Sequence, residues 1–140
     1  MSFYLDASVL VATLVQEDST SAVLLFLSQA SEPLSVSDFA AAEVASSLSR
    51  LVRMRQTTAE AARNALDRFD IWRQSDSGRT EIDNADIVEA DGLVRRFELK
   101  LRTPDALHLA VSLRISAKLV TLDDILAKAA IACRVVAVRP

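Results

Sequence analysis

The sequence predicts an α/β fold, a parallel sheet with helices on both faces, and three observations predict it. Short apolar runs of strand length recur at Ser2–Leu5, Pro33–Ser37, Lys118–Thr121 and Arg134–Val138. Between them lie longer stretches with apolar residues at three- and four-residue spacing, so the strands are joined by helical crossovers. No internal repeat, low-complexity segment or linker interrupts the chain, which reads as one domain over residues 1–140.

In order, the first strand ends on Asp6 and a helix follows at once over Ala7–Val15. Glu17-Asp18 and the Ser19-Thr20-Ser21 cluster make a break, and a second helix is expected from about Ser21 to Gln29. After the strand at Pro33–Ser37, Ser37 or Asp38 can cap a long helix reaching about Arg55, with Val44, Leu48 and Leu51 on its apolar side. Gln56-Thr57-Thr58 separates it from a further helix in which Ala59, Ala62, Leu66, Phe69 and Trp72 form a stripe, so the two pair as an antiparallel hairpin. Ser75-Asp76-Ser77-Gly78 reads as a turn, Glu81-Ile82 as a brief strand, and Asn84–Phe97 as a helix. Thr103 can cap the next helix, Pro104 suits its first position, and Asp105 falls in its first turn, where the positive end of the helix favours a carboxylate. A short helix over Ile125–Ala132 follows Asp123-Asp124 and precedes the last strand.

Composition narrows the function classes. At 51% apolar the chain can bury a proper core, yet runs such as Val23–Leu27 are far too short to cross a bilayer. The N-terminus has no basic flank, long apolar stretch or cleavage pattern, so the expected location is the cytoplasm, with no membrane partner. Cys133, the only cysteine, excludes an intramolecular disulfide and a cysteine-rich metal site. A net charge of −3 excludes coating nucleic acid by bulk attraction, although Arg50, Arg53 and Arg55 cluster, as do Arg95, Arg96, Lys100 and Arg102.

The acids carry the chemistry. In open parallel sheets ligands bind beyond the carboxyl ends of strands. Asp6 and Asp123 each close a strand there, Asp105 opens the helix that precedes the Asp123 strand, and Glu43 lies off the apolar stripe of the long helix. Each has a plain alternative: the three aspartates can cap helices and Glu43 can be solvated. Gathered on one edge, however, they would repel one another unless a cation sat among them. Oxygen-only ligands suit Mg²⁺ or Mn²⁺ rather than zinc, and such ions activate water against phosphate esters. The residues alone therefore point to a metal-dependent phosphodiester or phosphomonoester hydrolase. His108, one turn from Asp105, reads as packed or hydrogen-bonded rather than as a general base, and Tyr4 and Trp72 as core.

Four segments together resemble PIN-domain ribonucleases, specifically VapC-type toxins of bacterial toxin–antitoxin pairs. They are Tyr4-Leu5-Asp6-Ala7-Ser8, Ala42-Glu43-Val44, Thr103–Ala110, and Val120-Thr121-Leu122-Asp123 followed by Leu126-Ala127. The resemblance implies a PIN-like three-layer α/β/α sandwich with a central parallel β-sheet and a protruding helical hairpin. It implies that Asp6, Glu43, Asp105 and Asp123 bind one or two Mg²⁺ or Mn²⁺ ions and that metal-activated water cleaves RNA. Ser8 and Thr121 match positions that support the acids by hydrogen bonding, whereas Asp124 is not expected to be a primary ligand. The hairpin, Asp38 to Gln74, resembles the segment such toxins set against a VapB-like antitoxin and in homodimer contacts. Phe3 and Tyr4 depart from the family in being bulkier than its usual first-strand residues. Two other readings stay open: a PIN nuclease of RNA processing without an antitoxin, and a PIN-like binding module without a catalytic metal.

Overall fold

Phe3–Leu5 forms the first strand, β1, which sends Phe3 and Leu5 to one face of the sheet and Tyr4 to the other. That alternation sorts the core into two layers. The computed structural model describes residues 1–140. The other strands are β2 (Leu34–Ser37), β3 (Gly78–Thr80), β4 (Lys118–Val120) and β5 (Ala137–Val138). All pairs are parallel, in the order β3-β2-β1-β4-β5. Helices α1 (Ala7–Leu14) and α2 (Thr20–Gln29) connect β1 to β2, and α3 (Asp38–Arg53) and α4 (Ala59–Asp76) connect β2 to β3. The return to β4 runs through α5 (Asn84–Arg95), a 3-10 turn at Phe97–Leu99 and α6 (Thr103–Arg114), and α7 (Asp124–Ala132) leads to β5.

On one face Phe3, Leu5, Val36 and Val120 pack against Val9 and Leu10 of α1, Val23 of α2, Val44 of α3 and Phe69 of α4. On the other, Tyr4 and Leu119 pack against Leu93 of α5, Leu109 and Val111 of α6, and Leu126 of α7. This is the three-layer α/β/α sandwich expected. Strands covered on both faces need apolar residues at successive positions, which is why they read as continuous runs. Leu5, Leu10, Leu109, Leu119 and Leu126 are fully buried, each stabilising by about 1.5–3 kcal/mol relative to exposure. Leu48, Ala62 and Ala65 form a separate small cluster that zips α3 to α4, and the alanines let the two backbones approach.

Local differences from the sequence reading have physical causes. Helix α4 runs through Asp76 instead of turning at Ser75: the Ser75 hydroxyl turns back onto the carbonyls of Ile71 and Trp72, and Ser77 ends the helix, its hydroxyl donating to the Arg73 carbonyl. The third strand accordingly lies at Gly78–Thr80 rather than at Glu81-Ile82, in register with β2, where the Thr80 and Ser35 hydroxyls meet. The last strand shrinks to Ala137–Val138. Arg134 and Val135 are spent on the end of α7, their N–H groups bonding the carbonyls of Ile131 and Ala130.

Candidate active site

The chain steps from β1 outward to β2 and β3, then returns to place β4 on the other side of β1. Beyond the carboxyl ends of β1 and β4, helices therefore leave in opposite directions and open a crevice. Leu5 pairs with Val120, so Asp6 and Thr121 emerge side by side, and the Asp6 N–H bonds the Val120 carbonyl at 3.2 Å.

Asp6 caps α1, its Oδ1 accepting the Val9 N–H at 3.2 Å and the Ser8 hydroxyl at 2.6 Å. Its Oδ2 accepts the Thr121 hydroxyl at 2.5 Å. The same two hydroxyls also accept backbone N–H groups, Ser8 from Leu122 across the crevice at 2.9 Å and Thr121 from Asp123 on its own side at 3.0 Å. Ser8 and Thr121 thus stitch the two strand ends together around one buried carboxylate. Asp123 caps α7 through Oδ1, which accepts the Leu126 N–H at 2.8 Å, and its Oδ2 has no protein partner.

Asp105 is the third residue of α6. The expected cap at Thr103 is corrected: the Ala106 N–H already bonds the Arg102 carbonyl, so the helix starts one residue earlier and Arg102 holds the cap position without a side-chain cap bond. Arg102 instead reaches Asp105, Nε to Oδ2 at 3.3 Å. Burial pushes the Asp105 carboxyl above its ordinary range; Arg102 opposes this and the charge of Asp123 adds to it. Glu43, in the second turn of α3, meets His108 of α6, with Nε2 2.5 Å from Oε2. The other ring nitrogen, Nδ1, lies 2.9 Å from the Tyr4 hydroxyl.

Asp6, Glu43, Asp105 and Asp123 line one open cavity of about 520 Å³, together with Ser8, His108, Arg50 and Arg102. They share a wall, yet no three acidic, histidine or cysteine side chains are drawn together as a ready ligand group. Each acid is held by its own donors instead: Asp6 by two hydroxyls, Glu43 by His108, Asp105 by Arg102. Asp124 points away and pairs with Arg139. The sequence reading took His108 as packed or hydrogen-bonded, and it is buried with both nitrogens bonded. Its link to Glu43 had no local signal, because the two residues are 65 positions apart in the chain. Arg102 was read only as one of a basic group, and its approach to Asp105 follows from their three-residue spacing on a helix.

The sequence matches the PIN domain family over residues 3–132. The chain belongs to the PIN domain family. No curated protein sequence matches it. Among solved structures, VapC20 from Mycobacterium tuberculosis superposes with a TM-score of 0.74 at 19% identity, over 99% of this chain and 100% of that one. A chain of VapBC2 from Rickettsia felis gives 0.70 at 16% identity, over 100% and 99%. FitAcB from Neisseria gonorrhoeae gives 0.71 at 15%, over 96% and 95%. At such identities the likeness speaks to the fold, which this PIN domain shares with all three from end to end.

Proposed function

We propose that this PIN domain, acting as a single unit of residues 1–140 in the cytoplasm, is a Mg²⁺- or Mn²⁺-dependent endoribonuclease. We further propose that it is the toxin of a type II pair and is neutralised by a VapB-like antitoxin. The observation that carries the reading is the placement of Asp6, Glu43, Asp105 and Asp123 on one open cavity at the crevice between β1 and β4. VapC20 is described as a sarcin–ricin loop cleaving toxin, and VapBC2 as bound to DNA from its promoter, which supports the class of activity and of partner.

The donor chemistry fits a hard cation: carboxylate oxygens predominate, and Asp105, Asp123 and Glu43 each keep one oxygen free of protein hydrogen bonds. Mg²⁺ retains several waters and needs only one or two carboxylates, so a preassembled set of three protein ligands is not required. Asp6, Glu43, Asp105 and Asp123 would hold the ion, which when bound supplies an activated water for attack on a phosphodiester. Ser8 and Thr121 keep both Asp6 oxygens oriented as acceptors. Arg50 and Arg102, on the same cavity, give phosphate groups a cationic rim beside an otherwise repelling acidic wall. An antitoxin would cover this pocket with a basic or bulky segment and engage the Arg50, Arg53 and Arg55 group. A homodimer through the α3–α4 hairpin belongs to the same proposal.

The test is end-mapping of cellular RNA after a brief pulse of expression, wild type against Asp105→Asn. New ends at a few defined sites, absent in the variant, are the expected result. A soluble, folded wild type that generates no new ends would overturn the reading.

A further inference from the structure

A largely buried line of hydrogen bonds starts and ends on α3, passing through β2, β1 and α6 on the way. The Ala40 N–H donates to Ser37 Oγ at 3.0 Å, and Ser37 Oγ lies 2.7 Å from the Tyr4 hydroxyl. Tyr4 lies 2.9 Å from His108 Nδ1, and His108 Nε2 lies 2.5 Å from Glu43 Oε2. Ser37 and Tyr4 are 0% exposed and His108 2%, so water does not compete along the line until it reaches the half-buried Glu43 at the cavity. The Phe39 ring packs on the imidazole, centroids 5.2 Å apart, and limits its rotation.

The donors can be ordered from the Glu43 end. A carboxylate that holds a cation is deprotonated and can only accept, so Nε2 carries the ring proton. A neutral ring then accepts at Nδ1, and the only hydrogen within reach is that of the Tyr4 hydroxyl. Tyr4 in turn accepts from Ser37, whose oxygen takes the Ala40 N–H. Burial pushes the Tyr4 hydroxyl above its ordinary range; Ser37 opposes this, and the charges of Asp6, Glu43 and Asp86 push it further up, so it remains a donor. Every hydrogen bond in the line points the same way and each strengthens the next.

We propose that Tyr4 and His108 are positioning residues for Glu43: the line fixes the imidazole as its Nε2–H tautomer, which clamps Oε2 and leaves Oε1 as the oxygen offered to a cation. The proposal rests on the reading of Glu43 as a metal-site acid and adds to it the reason why a long, flexible side chain reaching in from α3 holds one orientation. Through this line α6 serves two acids, carrying Asp105 directly and orienting Glu43 from one turn further along. The buried Tyr4 hydroxyl has a use here that an aliphatic side chain could not fill.

Because the chain has one histidine, ¹⁵N-histidine labelling gives a single pair of ring nitrogen signals that need no assignment. At pH 7 the full chain is expected to show a protonated Nε2 and an unprotonated Nδ1, and Tyr4→Phe is expected to mix the tautomers. Calorimetric Mn²⁺ binding, measured on the same proteins, should weaken about tenfold in Tyr4→Phe and about 10–100-fold in His108→Leu. His108→Gln, whose amide can still donate to Glu43, should recover most of the loss. Tyr4→Phe is nearly isosteric and keeps the test open should His108→Leu fail to fold. An Nδ1–H ring in the wild type overturns the proposal, as do Mn²⁺ affinities of Tyr4→Phe and a folded His108→Leu within about twofold of wild type. A wild type that binds no Mn²⁺ overturns the metal-site reading together with it, whereas normal wild-type binding with indifferent variants overturns the positioning role alone.

Discussion

At Asp105 burial works against the residue's own charge, and the neighbouring Asp123 adds to the strain while Arg102 relieves part of it. A residue kept in an environment that disfavours its ionised form is a candidate for function rather than stability. Asp105→Asn keeps the shape but removes the charge. RNA cleavage is expected to fall by about 100-fold or more, while the Tm stays at or above that of the wild type. A clear loss of Tm would show Asp105 to be a structural acid. Thr121 makes the opposite case. Its hydroxyl both donates to Asp6 and accepts the Asp123 N–H, so Thr121→Val leaves a buried carboxylate oxygen and a backbone donor unpaired. The expected cost is about 1–3 kcal/mol in denaturant unfolding, accompanied by loss of cleavage; unfolding indistinguishable from wild type would refute the stitching role.

Among the elements, α5 and α6 are locked by an ion pair whose acid is buried and whose arginine is part-exposed. Asp86 closes a capping box with Asp83 at the start of α5 and is 1% exposed, while Arg114 at the end of α6 reaches it at 2.7 Å and also bonds the Glu81 carbonyl. Burial pushes the Asp86 carboxyl up, but the hydrogen bonds from Arg114 and the Asp83 backbone and the Arg114 charge together outweigh it and hold it below the ordinary range. A carboxyl whose value is depressed on folding stabilises the protein above its unfolded value near 4, and that stability is lost as pH falls through the folded value. Arg114→Met strands the buried acid and should destabilise by about 2–4 kcal/mol at pH 7, with the deficit shrinking as pH falls below about 4. Urea unfolding at the two pH values measures both, and a deficit independent of pH would refute the pairing as its cause. The element ends also show where sequence reasoning stops. Amphipathic stripes and strand runs placed every helix and four of five strands, because burial on one side or both is written residue by residue. Helix ends were less legible: α3, α6 and α7 close with Arg55, Ser116 and Arg134 in the left-handed region, where glycine is the usual signal. Even so, the end of α7 at Ala132 was read correctly and that of α3 about two residues too far, whereas α6 was given no end.

For the molecule as a whole, the sheet order decides what the separate acids become. Asp6 and Asp123 were legible as strand-end residues, and parallel topology was enough to place them at one edge. The Glu43–His108–Tyr4 line was not, since it joins α3, α6 and β1 across distances in sequence that no periodicity reports. Nor was the separation of the acids, each turned toward its own donors rather than to a common point. That arrangement has a consequence for the folded state. The cavity draws on α1, α3 and the turn into α6 and α7, so an ion bound there would tie together segments from both layers of the sandwich. Binding to the native state alone stabilises by mass action, by about 1.4 kcal/mol at ten times the dissociation constant. For a chain of 140 residues that is a rise in Tm of about 5 °C. The wild type should show it with Mn²⁺, Asp105→Asn should show much less, and the urea m-value should not change because the surface exposed on unfolding is the same. An equal rise in the Asp105→Asn variant would mean that the ion binds elsewhere on an acidic surface. No rise in the wild type, with Mn²⁺ in the millimolar range, would remove the cation from the cavity and with it the reason for four carboxylates to share one wall.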